Sequence, residues 1–400
     1  MRIVVTGATG FVGQEFVPLL RVRSHDLLLV GRDPQKVAAV FPGISTCSYQ
    51  DLSQRAAGYD LLVHLAVANT NAELDEAGFR AVNIDLLVDT LRAACEAGIA
   101  RFINVSSIHA LDERRNTFYA RTKREAVDIV ANVTGIRTTT VFLPPLYGTR
   151  WAGRLGALNR LPRFLARLLF TPLAALTPTV HVERLVNLVV DEGATSESEV
   201  ILTDGQGDNL VYRAVTRTVD LIFAVAVTLL LWWLLLVVWG LIRVQSPGPG
   251  IFAQTRVGRY GEEFTCYKFR TMKLGTVQAA TNEVSASSVT GLGHFLRKTK
   301  IDELPQIWNI FRNEISLIGP RPCLPVQTKL IEERTRRGVL ALKPGISGLA
   351  QVNGIDMSDP EKLARWDQRY LRLQSLVLDL KIALATATGR GQGDRVAKDA

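Results

Sequence analysis

The feature that most constrains this chain is an uninterrupted apolar run. It extends from Leu221 to Ile242 (LIFAVAVTLLLWWLLLVVWGLI) and contains no charged residue and no proline. A helix rising about 1.5 Å per residue over this run matches a bilayer hydrocarbon core about 30 Å thick. A fully buried core helix is the alternative, although the helices of water-soluble domains normally keep a polar face. The run therefore predicts a membrane helix.

Arginines flank the run on both sides. Arg213 and Arg217 precede it, and Arg243, Arg256 and Arg259 follow it. Cationic flanks are typical of the cytoplasmic side of a membrane. Two topologies are therefore consistent with the sequence. One is a single crossing whose orientation is only weakly set by charge, and the other is a re-entrant segment that leaves the membrane by the face it entered.

The charge of the chain is concentrated in its second half. Residues 1–205 contain 21 of the 47 basic and 21 of the 38 acidic side chains, so the net charge of +9 lies in residues 206–400. A basic domain beside a membrane helix suits an anionic lipid surface or a diphosphate substrate. No DNA- or RNA-binding motif is recognisable, so we expect no nucleic-acid partner. The four cysteines form no CxxC pair, which argues against zinc and disulfides and suggests a reducing compartment.

The chain opens with a dinucleotide-binding pattern rather than a signal peptide. A β-branched run at Arg2–Thr6 leads into GATGFVG at 7–13 and then a helical pattern through Leu20. Glycines let the backbone approach a pyrophosphate, and the helix N-terminus favours its charge. A structural tight turn is the alternative. The pattern predicts cofactor contacts at the following positions: Gly7, Gly10, Phe11, Val12 and Gly13.

The second predicted strand, Asp26–Val30, ends without the acidic residue that would hold the 2′-hydroxyl of NAD. Gly31 and Arg32 follow it, and an arginine here can pair with a 2′-phosphate. We therefore favour NADP(H) over NAD, the alternative being that Arg32 is a solvated turn residue. Further strands are predicted at 61–65, 102–105 and 138–142, with helical patterns between them. This alternation predicts an α/β fold with a doubly wound parallel sheet.

Polar side chains follow the predicted strand at 102–105. Ser106 and Ser107 come next, and Tyr119 and Lys123 are four apart on a predicted helix, so they share a face. An ammonium group near a phenol lowers the phenol pKa and allows proton exchange with a substrate oxygen. A plain helical pair is the alternative. The pattern predicts a catalytic tyrosine and lysine.

These motifs resemble the extended short-chain dehydrogenase/reductase family of nucleotide-sugar epimerases, dehydratases and 4-keto reductases. The resemblance covers about residues 1–190 and includes HLA at 64–66, Asn83 and PPLYG at 144–148. It implies a nucleotide-sugar substrate, nicotinamide redox chemistry, a catalytic Ser107, and cofactor contacts at Asp51, Leu52, Ala66 and Lys123. The family's arginine before PPLYG is Leu143 here, the substrate portion at 150–204 is short, and no acid adjoins Ser107, which disfavours dehydration.

The second half carries an adjacent carboxylate pair, Asp302-Glu303. Cations surround it in sequence, at Arg297, Lys298, Lys300 and Arg321. Two carboxylates can ligate Mg²⁺, or one can ligate while the other attacks, and the cations suit diphosphate oxygens. An acidic helix start beside a solvated basic face is the alternative.

Four motifs around this pair resemble the small monotopic phosphoglycosyl transferases, bacterial enzymes that start glycan assembly on polyprenol phosphate. They are KFRTM, LRKTxxDELPQxWN, SLIGPRP and KPGxSGxAQVNG, within about residues 217–385. The resemblance implies that Asp302 attacks the β-phosphate of a UDP-sugar, that Glu303 and Asp302 hold Mg²⁺, and that undecaprenyl phosphate receives the phosphosugar. It places substrate and phosphate contacts at Lys268, Arg297, Gln306 and Arg321.

The family's membrane segment is re-entrant and usually broken by Ser-Pro, whereas Trp232-Trp233 occupies the matching place here. Topology still favours re-entrance, because both halves need cytosolic substrates. We expect a monotopic protein on the cytoplasmic face of a bacterial inner membrane. The segment Glu361–Ala385 is predicted to lie on the membrane surface or to be an amphipathic core helix.

The predicted organisation is a reductase domain at 1–205, a linker and re-entrant helix at 206–243, a mostly helical transferase domain at 244–388, and a disordered tail at 389–400. The leading hypothesis is a bifunctional enzyme. Its first half would reduce a UDP-4-keto-6-deoxy-N-acetylhexosamine to UDP-N-acetylquinovosamine or its C4 epimer, and its second half would transfer the sugar phosphate. A UDP-hexose 4-epimerase half and a catalytically silent nucleotide-binding half are the alternatives, and a homo-oligomer stays open.

Overall fold

The computed structural model describes residues 1–23, 26–68, 73–191, 197–273, 275 and 288–390. The chain forms two compact units. The first contains Met1–Leu173 and Pro178–Asp204, and the second contains Ala174–Thr177 and Gly205–Ala400. The predicted tail at 389–400 falls largely outside the described residues.

The first unit is built on a seven-stranded parallel sheet with strand order β3-β2-β1-β4-β5-β6-β9. Its strands are β1 (Arg2–Thr6), β2 (Asp26–Val30), β3 (Ser45–Cys47), β4 (Leu61–His64), β5 (Arg101–Ser107), β6 (Arg137–Leu143) and β9 (Glu199–Ile201). A small parallel pair, β7 (Leu146–Tyr147) and β8 (Val180–His181), lies apart from it. The prediction of a doubly wound parallel sheet is confirmed.

Helices connect these strands. They are α1 (Phe11–Arg23), α2 (Pro34–Val40), α3 (Leu52–Arg55), α4 (Glu76–Arg80), α5 (Leu86–Glu96), α6 (Phe118–Ala131), α7 (Arg163–Leu176) and α8 (Val182–Val190). One apolar cluster contains β1 residues Ile3 and Val5, and a second contains their neighbour Val4. Alternate residues of a strand point to opposite faces of a sheet, so the sheet is covered on both faces.

The second unit is mostly helical. It contains α9 (Leu210–Gln245), α10 (Gly291–Thr299), α11 (Ile307–Phe311), α12 (Thr328–Arg336), α13 (Leu349–Val352), α14 (Pro360–Leu373) and α15 (Leu376–Ala387). Two short sheets complete it, an antiparallel pair of β10 (Ile251–Val257) with β11 (Glu263–Phe269) and a parallel pair of β12 (Ser316–Ile318) with β13 (Gly345–Ser347). The predicted segment 361–385 is two helices, α14 and α15, because the chain leaves helical geometry at Gln374 and Ser375.

The apolar run lies within α9, which is long and apolar enough to cross a membrane and is buried over only 17% of its most apolar window. It is one continuous helix, without a break at Trp232-Trp233. Thr228 donates to the Ala224 carbonyl one turn back at 2.7 Å. One face packs into the second unit through Ala224, Val227, Val238 and Ile242. Apolar side chains elsewhere on the helix are exposed, among them Ile222, Leu229, Leu230, Trp232, Trp233, Leu236, Val237 and Leu241.

The start of the apolar run is tied to the second unit. Arg217 donates from Nη1 to the Ile310 carbonyl at 2.7 Å, so this flanking arginine binds protein backbone. One turn later, the buried Asp220 carboxylate accepts hydrogen bonds from the Ser316 hydroxyl and the Leu317 amide, each at 2.8 Å. These polar contacts fix the helix where the apolar run begins.

The other end of the run is tied to the same unit. Arg270 donates to the carbonyls of Pro247 and Ser246 at 2.8 and 2.6 Å, immediately after the helix. Val238 and Ile242 pack in one cluster with Phe269. The stretch from residue 220 to residue 242 is about 33 Å long in an α-helix. The rest of the second unit therefore contacts α9 near both ends of the apolar run rather than at one end only.

Candidate functional site

The glycine-rich turn of the first unit has the backbone shape that the sequence predicted. Gly7 has a φ of 71°, and a side chain there would collide with the backbone of Ala66. A Cβ atom at Gly13 would lie 2.2 Å from the Ala8 carbonyl oxygen. The turn therefore requires glycine at position 7, and the first turn of α1, which begins at Phe11, requires glycine at position 13. Such a cradle fits a dinucleotide pyrophosphate at the helix N-terminus.

Ser107, Tyr119 and Lys123 come together where β5 ends against α6. Ser107 lies close enough to Tyr119 to lower the pKa of the phenol, which favours Ser107 over Ser106 as the partner of the tyrosine. Lys123 is 4% exposed and donates to the Val105 carbonyl at 3.4 Å. Burial lowers the pKa of Lys123 to about 8.

The expected direction of the pKa shift of Tyr119 is wrong. Burial raises the pKa of the Tyr119 phenol, and the hydrogen bond from Ser107 only partly opposes that shift. The sequence had suggested lowering by the Lys123 ammonium, but desolvation of the phenolate has the larger effect. The Oγ of Ser106 and the Nδ2 of Asn104 are buried nearby along β5 with no partner among the described residues. The site therefore keeps polar groups available to a ligand.

The other predicted cofactor residues take different positions. Arg32 is exposed after β2, and a Cβ atom at Gly31 would lie 2.5 Å from Val37, so packing also excludes an acid there. Asp51 is exposed and accepts from the Ser48 hydroxyl at 2.7 Å. The side chain of Leu52 is fully buried in the core, so only its backbone can contact a ligand.

Asn83 supports the loop that follows β4. Its side chain accepts from the Ala68 amide at 3.0 Å and donates to the Thr122 hydroxyl at 3.1 Å. A π-helical turn, Ala81–Asp85, presents it. This residue positions the backbone beside the glycine-rich turn.

In the second unit, the predicted carboxylate pair lies on a short 3₁₀ helix, Ile301–Gln306. Lys300 precedes it in the left-handed conformation, with φ 58°, and separates it sharply from α10. Asp302 and Glu303 are each 8% exposed, and Gln306 is 3% exposed. Carboxylates this buried need cationic or hydrogen-bonding partners.

Glu303 has two such partners. Its Oε1 lies 2.6 Å from Nζ of Lys268 and 3.5 Å from Nη1 of Arg321. Lys268 reaches Glu303 from β11, and Arg321 reaches it from the loop after β12. Their contacts to substrate phosphates stay a prediction. The cavity beside them is lined by Arg256, Cys266, Lys268, Glu303, Gln306, Arg321, Pro322, Gly345 and Ile346. Asp302 adjoins this lining in sequence without being part of it.

Arg297 supplies a further hydrogen-bond donor in the second unit. Its Nε donates to the Thr271 hydroxyl at 3.0 Å, while its Nη1 is buried with no partner among the described residues. A buried guanidinium N–H without an acceptor is costly unless a ligand satisfies it. Its position agrees with a contact to a phosphate oxygen.

The donor chemistry of this region fits Mg²⁺ only with help from substrate. Among the residues that the structure describes, no group of three or more His, Cys, Asp or Glu side chains could hold a metal ion alone. Mg²⁺ is usually bound by one or two carboxylates together with substrate phosphates. The adjacent carboxylates of Asp302 and Glu303 therefore fit a site that a diphosphate completes.

Three arginines that shape this region were not predicted as site residues from the sequence. Arg256 lines the cavity and donates to the Pro322 carbonyl at 3.1 Å. Arg334 is 2% exposed, pairs with Asp367 and donates to the Arg321 carbonyl at 3.0 Å. Arg270 closes the turn after α9. Only the QTR pattern of β10, which places Gln254 and Arg256 on one strand face, gave a local signal.

Two family models match the chain. Residues 211–391 match the model described as "Bacterial sugar transferase", and residues 3–177 match the "NAD dependent epimerase/dehydratase family". The two matches divide the chain between a sugar transferase and a dinucleotide-dependent class of protein.

Similar proteins support this division. A UDP-glucose:undecaprenyl-phosphate glucose-1-phosphate transferase of Xanthomonas campestris pv. campestris is 35% identical over 249 residues, covering 58% of this chain and 50% of that protein. A UDP-N-acetylgalactosamine-undecaprenyl-phosphate N-acetylgalactosaminephosphotransferase of Aeromonas hydrophila is 36% identical over 186 residues, covering 44% of this chain and 43% of that protein. The chain thus spans half or less of these two relatives.

A shorter relative is covered more fully. An uncharacterized sugar transferase of Bacillus subtilis (strain 168) is 39% identical over 145 residues, which are 36% of this chain and 71% of that protein. The chain belongs to the bacterial sugar transferase family. Its first unit is an epimerase/dehydratase-family domain joined to the transferase.

Proposed function

We propose that the second unit transfers a sugar 1-phosphate from a UDP-sugar to undecaprenyl phosphate. The observation that carries the proposal is the buried cluster of Glu303 with Lys268 and Arg321 beside Asp302. The relatives named for glucose and N-acetylgalactosamine transfer to undecaprenyl phosphate support this reaction class. Because their sugars differ, the sugar handled by this chain is a separate question.

In the proposed reaction, Asp302 is the nucleophile. Its carboxylate oxygen bonds to the β-phosphorus of the UDP-sugar, the bond from that phosphorus to the bridging oxygen breaks, and UMP leaves with the electron pair. A phosphate oxygen of undecaprenyl phosphate then attacks the same phosphorus. The carboxylate of Asp302 departs, and a lipid diphosphate sugar is released.

Neighbouring side chains bind and orient the substrate in this scheme. Lys268, Arg297 and Arg321 offer donors to the diphosphate oxygens, and charge-assisted bonds of this kind are strong and directional. Glu303 holds Lys268 in place and, with Asp302, provides the carboxylates for Mg²⁺. When bound, the ion would offset charge on the diphosphate.

A pair of substitutions tests these roles. Asp302→Asn should abolish UMP release from a UDP-sugar with or without the lipid acceptor, because the attacking group is lost. Glu303→Gln should retain UMP release and shift its Mg²⁺ dependence to higher concentration. Near-normal turnover by Asp302→Asn would overturn the assignment of the nucleophile.

We further propose that the first unit uses NADPH to reduce a UDP-4-keto-6-deoxy-N-acetylhexosamine. Bound NADPH would supply a hydride to C4. Tyr119 would give its proton to the carbonyl oxygen, Ser107 would hold that oxygen, and Lys123 would assist proton return to the tyrosine. The product would be UDP-N-acetylquinovosamine or its C4 epimer, which would then serve as the substrate of the transferase reaction.

Mixing the protein with NADPH and UDP-4-keto sugars tests this proposal. Loss of NADPH absorbance, abolished by Tyr119→Phe, is the expected result. Interconversion of UDP-hexoses without net NADPH consumption would identify an epimerase. Nucleotide binding without turnover would identify a silent domain, for which the short substrate portion at 150–204 is the supporting feature.

We also propose that both ends of the apolar helix lie at the cytoplasmic face. The contacts of Arg217 and Asp220 at its start, and of Arg270 after its end, join both ends to one compact unit. Leu210 and Tyr260 are 71% and 66% exposed, so cysteines at these positions can report on sidedness. In a Cys95→Ser background, an impermeant thiol reagent should label neither site in intact cells. Labelling of one site alone would establish a single crossing.

A further inference from the structure

Helix α7, whose residues up to Leu173 belong to the first unit, has side chains of three kinds on different faces. Ala166 is fully buried, and with Phe170 and Leu173 it packs into a small cluster with Leu155 and Leu158. This stripe faces inward and anchors the helix. The other two stripes point outward.

The second stripe is apolar and exposed. On α7, Phe164 and Leu168 are four residues apart and are 71% and 70% exposed, so they share one face of the helix. Leu161, in extended backbone just before the helix, is 38% exposed, and these three side chains are called the apolar strip. Leu169 and Leu176, further round the helix, are 44% and 43% exposed. Single exposed leucines are common, but a continuous strip marks an interaction surface.

The third stripe is basic and runs beside the second. Arg163 and Arg167 on α7, and Arg160 at the end of the preceding 3₁₀ helix, are all exposed, and each immediately precedes a residue of the apolar strip in sequence. No acidic residue occurs between Asp128 and Glu183, a stretch that contains six arginines. In the described part of the chain, none of these three arginines has a carboxylate within salt-bridge distance. This face is therefore both apolar and strongly cationic.

We propose that this face of α7 is a second membrane-contact surface, which seats the first unit on an anionic bilayer. An amphipathic helix with large apolar residues and adjacent arginines has the composition of helices that lie in the lipid interface. Anionic headgroups attract the arginines, and the apolar strip enters the boundary with the acyl chains. The inference rests on the proposed membrane location of α9, which would hold the same chain at a bilayer. A second copy of the chain would instead place like charges opposite one another.

Spin labels on the full-length protein test this surface. A nitroxide is attached at Leu168→Cys, and the control is Val22→Cys, which is 82% exposed and lies between Arg21 and Arg23 in the same unit. Both are made with Cys95→Ser, because Cys95 is exposed whereas Cys47, Cys266 and Cys323 are buried. The proteins are reconstituted in nanodiscs of phosphatidylcholine with or without phosphatidylglycerol. Collisions of the label with oxygen and with a water-soluble nickel chelate are measured.

The predicted result is specific to position 168. In discs with phosphatidylglycerol, that label should collide readily with oxygen and poorly with the chelate, whereas the label at position 22 should show the reverse. Replacing Arg160, Arg163 and Arg167 together by Gln should abolish the contrast at position 168. All three arginines are exposed to solvent, so the fold is expected to be retained.

Three other results would overturn the proposal. Ready collision of the label at 168 with the chelate in both lipids would mean that the face is in water. Poor collision with both reagents would mean that protein covers it. Broadening of the spectrum that disappears on dilution with unlabelled protein would identify a second copy as the occupant.

Discussion

The ion pair between Arg334 and Asp367 offers the sharpest test of how the transferase unit is held together. Both side chains are 3% exposed, and Arg334 donates from Nε and Nη2 to one oxygen of Asp367 at 3.0 and 2.8 Å. The third donor, Nη1, reaches the Arg321 carbonyl at 3.0 Å. The pair therefore supports the loop that presents Arg321 to Glu303.

Asp367→Asn keeps the shape of the side chain but leaves the Arg334 charge without a counter-charge. Removing one member of a buried ion pair typically costs about 3–5 kcal/mol. For a domain of this size, about 1 kcal/mol corresponds to about 2–4 °C in the melting temperature. The transferase transition should therefore fall by about 6–20 °C in a scanning calorimetry experiment at fixed scan rate.

The same helix supplies the control. Arg336 is 65% exposed and pairs with Glu333, so Arg336→Gln should change stability by less than about 1 kcal/mol. The double variant Arg334→Met/Asp367→Leu should recover most of the lost stability, since an apolar pair carries no unpaired charge. Its turnover should stay low, because the contact to Arg321 is gone. A melting temperature for Asp367→Asn within about 2 °C of the wild type would refute the reasoning.

Three further predictions concern other parts of the chain. Burial raises the pKa of Asp379 from 3.8 to about 6, although hydrogen bonds from Tyr212 and Tyr370 oppose the shift. The protonated carboxyl group therefore stabilises the folded state below about pH 4, and this stabilisation is lost as the pH rises through 6. Asp379→Asn should therefore gain up to about 3 kcal/mol relative to the wild type between pH 4 and pH 8, measured by thermal melts, and a pH-independent difference would contradict it. Gly13→Ala should lose NADPH binding because its Cβ would lie 2.2 Å from the Ala8 carbonyl, whereas Gly207→Ala, with open space around it, should bind normally in the same fluorescence titration. Arg32→Ala should weaken NADPH about tenfold or more and leave NADH unchanged, the loss expected for one charge-assisted bond; equal wild-type affinities for the two cofactors would refute the NADP assignment.

The parts of the fold that could be read from sequence are those with strong local patterns. β1 and β2 have the predicted bounds, because buried parallel strands are short runs of apolar residues between turns. The glycine-rich turn followed for a similar reason, since the collisions at Gly7 and Gly13 leave few alternatives to glycine. Local sequence also identified the apolar run Leu221–Ile242 within α9.

The parts that could not be read depend on contacts between remote residues. α9 begins at Leu210, eleven residues before the apolar run, with Asn209 as its N-cap, because Tyr212 packs and bonds to Asp379 far along the chain. The flanking arginines were interpreted from their spacing to the apolar run, but the structure gives Arg217 a backbone partner in α11. The direction of the Tyr119 pKa shift depends on burial, which a helical spacing does not reveal.

In the candidate transferase site, local sequence identified the residue types better than their geometry. The DELPQ motif named Asp302 and Glu303, yet the cavity is lined by Glu303, while Asp302 is buried beside it. The pairing of Glu303 with Lys268 joins residues 35 positions apart and follows only from the packing of β11 on the 3₁₀ helix. An experiment that distinguishes Asp302 as the nucleophile from Glu303 as a metal ligand therefore tests the proposed mechanism most directly.

The most direct measurement locates the covalent intermediate. The purified protein is incubated with a panel of UDP-sugars and Mg²⁺ without lipid acceptor, and intact mass and peptide mapping are used to find the modified residue. We predict one added phosphosugar per chain, on Asp302, in the wild type and in Glu303→Gln, none in Asp302→Asn, and loss of the adduct when undecaprenyl phosphate is added. An adduct on Glu303, or lipid product formed by Asp302→Asn, would contradict the proposed mechanism.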